Sequence, residues 1–237
     1  MKPLSNIMKT TLKRMGEDIS AESTNDIIKL LGVNNRAELL DVGCGDGKLT
    51  LRAARVIGTN QIYGIDVMPE TIEKAKENGI NVRNGDLNQR FPYEDESFDV
   101  VLASEIIEHL SNTDNFLEEI HRVLRSGGYT VISTPNLSSW PNIIFLVFGK
   151  QPAVASVSDE IVVNTWHAHS DYRKPNEGPS HRRIFTFGAI EKLLTYHGFQ
   201  VEKSIGTGFF PLPIRLARAF CKIDKSHAMR ITVKAKK

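Results

Sequence analysis

Apolar positions along this chain fall into short dense runs separated by amphipathic stretches. Leu39–Val42, Ile62–Asp66, Ile80–Leu87, Phe98–Ser104 and Tyr129–Ser133 have the length and content of buried strands. Between them, residues 47–57, 69–78 and 115–124 carry helical spacing, the last with Phe116, Leu117, Ile120, Val123 and Leu124 as its apolar members before a Gly127-Gly128 stop. Upstream, residues 20–31 place Ile27, Ile28 and Leu31 in a stripe. Downstream, Phe187–His197 reads as a helix closing at Gly198, followed by strands over Phe199–Ile205 and Met229–Val233. Strand and helix in alternation predict an α/β fold, a doubly wound and mostly parallel sheet with helices on both faces. Residues 138–180 break the rhythm with Trp140-Pro141-Asn142, the apolar Ile143–Phe148, a Ser/Val-rich stretch and Trp166–Tyr172. An insertion after the fifth strand lies at the carboxyl edge, where ligands bind in such sheets, and is expected to be a substrate lid; a plain surface excursion or oligomer contact is the alternative.

The first strand ends in an acid and runs into Gly43-Cys44-Gly45-Asp46-Gly47. Glycine has no Cβ and tolerates positive φ, so such a turn lets main-chain N–H groups touch a bound molecule. A dinucleotide fingerprint would need glycine at position 48, where Lys48 stands, and a phosphate-cradling loop would need a hydroxyl after Gly47-Lys48, where Leu49 stands. Asp66 lies 21 residues beyond Gly45, the separation that places a carboxylate on ribose hydroxyls, and Asp86 follows 20 residues later at a third strand end. The pattern points to a nucleoside without pyrophosphate. Taken singly, each acid also reads as a cap or turn residue. Cys44 reads as a small turn residue and not a nucleophile, since no cation pattern surrounds it.

Leu39–Gly47, Gly64–Asp66, Asn84–Leu87, Ser97–Leu110 and Ser126–Gly128 together resemble, in order and spacing, the class I S-adenosylmethionine-dependent methyltransferases; the likeness is close over residues 36–137 and weaker beyond. The resemblance implies one domain over residues 1–237 with a seven-stranded sheet whose final strand runs antiparallel. It implies that Asp41, Gly43, Cys44, Gly45 and Gly47 surround the methionine moiety of S-adenosylmethionine, that Asp66 holds the ribose, and that Val67 or Met68 packs on the adenine. Asp86 would accept from the adenine amine with Leu87 on the other ring face, and Ser104 at the fourth strand end completes the expected cofactor set.

Methyl transfer asks mainly for proximity and alignment, but a hydroxyl acceptor also wants a base or a metal. On a helix Glu105, Glu108 and His109 would share a face. This Glu-x-x-Glu-His segment resembles the metal-binding segment of ubiquinone-pathway O-methyltransferases and of small-RNA 2′-O-methyltransferases, in which His181 is the position corresponding to a completing histidine. The resemblance implies a divalent ion, Mg²⁺ or Mn²⁺, on Glu105, Glu108, His109 and His181, with His181, His109 and Glu105 as catalytic candidates. Without a metal the same residues read as acids favourable to a helix N-terminus and a histidine packed against a loop. His167 and His169 lack the spacing and further ligands of a zinc site.

The 237 residues, 41% of them hydrophobic, suffice for one sizeable domain. Two distant cysteines argue against a disulfide framework, and the longest apolar run is far short of a membrane span, so a reducing, cytoplasmic setting with no integral membrane segment is expected. A formal charge of +2 makes nucleic acid an unlikely partner, and the terminal Lys234-Ala235-Lys236-Lys237 reads as a solvated end. The C-terminal half bears a loose likeness to methyltransferases of cell-surface glycan and lipid-linked sugar pathways. The expected acceptor is a hydroxyl of a small molecule or a glycan or lipid-linked compound; the alternatives are RNA, or cofactor binding without turnover. The sequence leaves the oligomeric state open.

Overall fold

The computed structural model describes residues 2–152, 154–161, 163–164 and 180–237, without the side chains of residues 2–13. Seven strands form one sheet: β1 (Glu38–Val42), β2 (Gln61–Asp66), β3 (Asn81–Asn84), β4 (Phe98–Ser104), β5 (Leu124–Pro135), β6 (Gln200–Thr207) and β7 (Arg230–Lys236), in the order β3-β2-β1-β4-β5-β7-β6. The pairs among β1 to β5 are parallel, and β7 runs antiparallel to both β5 and β6. The carboxyl ends of β1 to β6 therefore lie on one edge, where β7 begins.

Consecutive strand residues point to opposite faces, so both faces need an apolar cover. On one face Leu40, Val101, Ala103 and Ile132 pack with Phe116 and Ile120 of α4 (Thr113–Val123) and Ile190 and Leu194 of α6 (Phe187–Tyr196). On the other, Leu39, Val100, Leu102 and Val131 pack with Ile27 and Leu30, on and just after α1 (Lys2–Lys29), and with Ala53 and Ile57 of α2 (Lys48–Ile57). A smaller cluster under α3 (Pro69–Glu77) joins Ile72 and Ala75 to Val82.

The expected elements are present, with three differences. The first helix begins far upstream of residue 20, at Lys2. Residues 140–147, expected within an irregular insertion, form α5 (Trp140–Val147), pinned by buried Phe145 and by Asn142, whose side-chain amide donates to the Asn136 carbonyl at 2.9 Å. A further helix, α7 (Ile214–Ile223), precedes β7. The lysine-rich end is not a solvated tail: it pairs in β7, and Lys237 donates through Nζ to the Leu124 carbonyl at 2.7 Å. Residues 165–179, with His167 and His169, lie outside the described residues. No helix among the described residues is long and apolar enough to cross a membrane.

Candidate active site

At the end of β1 the chain turns through Gly43, Gly45 and Gly47, with φ of 79°, 52° and 80°. The three glycines are needed for different reasons. A Cβ on Gly43 would meet Ile106 at 2.8 Å and one on Gly47 would collide with Ile80, whereas a Cβ on Gly45 would project into open space. Gly45 thus shapes a cradle that a side chain would fill. Asp66, at the end of β2, holds this turn: its Oδ2 accepts the Gly45 N–H at 2.8 Å, and its Oδ1 accepts the Met68 N–H at 3.0 Å and the Thr71 hydroxyl at 3.3 Å. Val67 and Met68 stand 52% and 57% exposed beside it, apolar surface left open at a strand end. Asp86 is exposed with Oδ1 accepting from Asn88, and Leu87 is buried in the main core.

Asp41 is buried, and its Oδ2 accepts the Thr50 hydroxyl at 2.6 Å. Burial, against the Thr50 bond, pushes its carboxyl up to about 6. Because the folded value exceeds the ordinary one, the contribution of Asp41 to stability is full below pH 4 and falls as pH rises towards 6, by about 3 kcal/mol. Denaturant unfolding without cofactor should show Asp41→Asn gaining on the wild type between pH 4 and pH 7; parallel pH profiles would mean that the carboxyl is not so perturbed. Burial also pushes the Cys44 thiol up to about 12, so Cys44 is an inert turn residue.

The Ser104 hydroxyl, at the end of β4, lies 3.2 Å from that of Ser133 on β5. Beyond it Glu105 adopts φ 53°, and only Ile107–His109 form a single 3₁₀ turn. The helical face expected of Glu105, Glu108 and His109 does not form, because this left-handed residue turns the chain before any helix begins. Glu105 instead makes an ion pair with Arg230 at the start of β7, and its buried Oε1 has no hydrogen-bond partner. The other three expected donors converge: ligand atoms of Glu108, His109 and His181 lie within 4.8 Å of one another.

Main-chain contacts fix this trio. The amides of Arg182 and Arg183 both donate to the Glu108 carbonyl, at 2.7 and 3.0 Å, which seats His181 beside the 3₁₀ turn with its ring 4.9 Å from that of His109. His181 Nδ1 is 2.9 Å from the Val154 carbonyl and His109 Nδ1 is 3.3 Å from the Ser180 carbonyl. A carbonyl only accepts, so each Nδ1 carries a proton, and in the neutral ring the lone pair lies on Nε2. Glu108 is buried, accepts the Thr134 hydroxyl at 3.1 Å, and is pushed up to about 8 by burial and by the Glu105 charge. One carboxylate and two oriented imidazoles suit a first-row ion such as Mn²⁺ better than Mg²⁺, which takes oxygen ligands. Beside His181 a cavity of about 390 Å³ is lined by Ser156, Val157, Ser158 and Arg182, so the segment after β5 does reach this site. Thr50, Thr134 and Arg230 had no motif to reveal them; each matters only through a partner that folding brings near.

A family model described as a methyltransferase domain matches residues 34–179. The chain belongs to the class I S-adenosylmethionine-dependent methyltransferases. It is 29% identical over 183 residues to the mitochondrial ubiquinone biosynthesis O-methyltransferase of Rattus norvegicus, covering 73% of this chain and 47% of that one. To the ubiquinone biosynthesis O-methyltransferase of Bartonella tribocorum it is 27% identical over 216 residues, covering 89% and 79%. The chain thus spans about half the length of the mitochondrial relatives it matches. The fold matches a solved S-adenosylmethionine-dependent methyltransferase from Mesorhizobium loti, with a TM-score of 0.61 at 18% identity, covering 90% of this chain and 96% of that one.

Proposed function

We propose that this methyltransferase acts on a hydroxyl of a small molecule or of a glycan or lipid-linked compound. The carrying observation is the Glu108, His109 and His181 trio, a set of proton acceptors and metal donors at the edge where β4 and β5 end. Two relatives named O-methyltransferases support the same reading.

S-adenosylmethionine, when bound, supplies an electrophilic sulfonium methyl. The chain's own residues do the rest by orientation. In this reading the Gly43–Gly47 turn and Asp41 receive the methionine moiety, Asp66 the ribose, Val67 and Met68 the adenine face, and Asp86 its amine, with Leu87 and Ser104 closing the pocket. Asp66 retains acceptor capacity, since Oδ2 carries a single hydrogen bond from the protein. Glu108, His109 and His181 would hold a divalent ion, whose contribution is to acidify the acceptor hydroxyl. Without an ion, the Nε2 lone pair of a neutral His181 or His109 would take the hydroxyl proton; with one, both lone pairs would be spent on the ion. Residues 154–158 would border the acceptor, Val154 holding His181 in place.

Screening acceptor classes with radiolabelled methyl donor tests the reaction; cofactor binding with no transfer to any hydroxyl class would overturn it. Calorimetry tests the pocket: Asp66→Ala should lose roughly 1.5–3 kcal/mol of cofactor affinity, the worth of hydrogen bonds to a charged group. Asp66→Asn should also lose affinity, because its single amide oxygen cannot accept both the Gly45 and the Met68 N–H. Equal affinity in all three proteins would remove Asp66 from the site.

A further inference from the structure

Two helices at the carboxyl edge turn apolar faces outward. On α5, Trp140, Ile144 and Val147 recur at helical spacing, with Val147 76% exposed. On α7, Leu216, Phe220 and Ile223 do the same, with Ile223 86% exposed. The two stripes meet at Trp140, whose indole N–H donates to Asp224 at 3.3 Å and whose ring stacks on His227, just past the end of α7. Six large apolar side chains turned outward on two helices joined at Trp140 exceed what scattered surface residues explain.

The charges carried by the two helices have one sign, and the acid at their junction, Asp224, is engaged by Trp140 and His227. Neither helix contains an acid; α7 carries Arg215, Arg218 and Lys222, and Lys150 follows α5. Arg218 is committed to Glu22, whereas Arg215 and Lys222 are exposed. An apolar stripe of Trp, Phe, Leu and Ile with Lys and Arg alongside is the composition of a helix lying in an anionic bilayer surface. A two-fold contact with a second copy would set this basic patch against itself.

We propose that the α5 and α7 face docks reversibly on anionic phospholipid membranes. Since α5 follows β5 and α7 follows β6, docking sets the acceptor edge at the membrane, where a lipid-linked hydroxyl can be drawn in; this last step rests on the proposed function.

Flotation of the full chain with vesicles tests it. Binding is expected to phosphatidylcholine mixed with phosphatidylglycerol, to weaken on phosphatidylcholine alone, and to fall with salt. The pairs Phe220→Ser with Ile223→Ser, and Arg215→Glu with Lys222→Glu, should each weaken it about tenfold or more while melting and cofactor affinity stay unchanged. In a Trp166→Phe background, Trp140 fluorescence should shift to the blue on vesicle addition. No vesicle binding by the wild type, or variants that bind equally well, would overturn the proposal. So would a wild-type dimer that the same variants dissociate, with no vesicle bound. Failure here with methyl transfer intact sinks only the docking face; docking without transfer sinks only the proposed function.

Discussion

Gly45→Val is expected to leave the protein folded and to weaken S-adenosylmethionine binding by more than about a hundredfold. Two effects act at this position and differ in size. The left-handed φ of 52° strains any L-residue, at about 1–2 kcal/mol, which for a chain of this length lowers the melting temperature by a few degrees. Nothing lies within 4 Å of the new Cβ, so the fold itself meets no collision. A branched side chain there would occupy the open space in front of the turn that, in the proposed reading, the cofactor needs in order to approach main chain. Gly58→Ala is the matching control: Gly58 has φ 86° at the end of α2, and its Cβ would make only ordinary contact with Asn35 at 3.8 Å. It should cost similar stability and leave affinity unchanged. Calorimetric titration of both variants decides; binding by Gly45→Val within threefold of the wild type would mean that the turn does not receive the cofactor.

The glycine turn and its bond to Asp66 were legible in the sequence because their chemistry is local. Gly43, Gly45 and Gly47 are consecutive at every second residue, and Asp66 ends the strand that pairs directly with β1, Asp41 opposite Gly64. The convergence of Glu108, His109 and His181 was legible only in part. Glu108, His109 and His181 meet across a long stretch of chain, and what joins them is main-chain bonding of Arg182 and Arg183 to the Glu108 carbonyl, which no residue type announces. The helical spacing read into Glu105 failed for the same reason. Its backbone turns left-handed at a strand end and its side chain is claimed by Arg230, from a strand that enters the sheet antiparallel. Local periodicity describes an isolated helix and carries nothing about a partner 125 residues away. The helix α5 escaped for a different cause: its outward face is as apolar as its inward one, so the run Ile143–Phe148 shows no amphipathic signal.

Glu108→Gln is expected to lower the transfer rate by about two orders of magnitude or more, because it removes the carboxylate through which the trio would hold an ion and acidify the acceptor hydroxyl. Glutamine keeps the shape of the side chain and can still accept the Thr134 hydroxyl, so the 3₁₀ turn and its bonds to Arg182 and Arg183 remain. It also removes a carboxylate that burial and Glu105 disfavour: the folded value near 8 lies above the ordinary one, so ionised Glu108 opposes folding as pH rises from 4.5 to 8. The variant should therefore be at least as stable as the wild type at neutral pH, and lost activity cannot be ascribed to unfolding. Binding measurements separate the two roles open to the trio. If Glu108, His109 and His181 hold an ion, Mn²⁺ titrated into the chelator-treated wild type should bind and release protons, whereas Glu108→Gln and His181→Ala should bind far more weakly. Chelation should then stop turnover of the wild type, and added Mn²⁺ should restore it. Turnover untouched by chelator but lost in His181→Ala would instead make an imidazole the proton acceptor, with Glu108 positioning it. Turnover untouched by either change would remove the trio from the reaction and leave the acceptor hydroxyl to be activated elsewhere on the carboxyl edge.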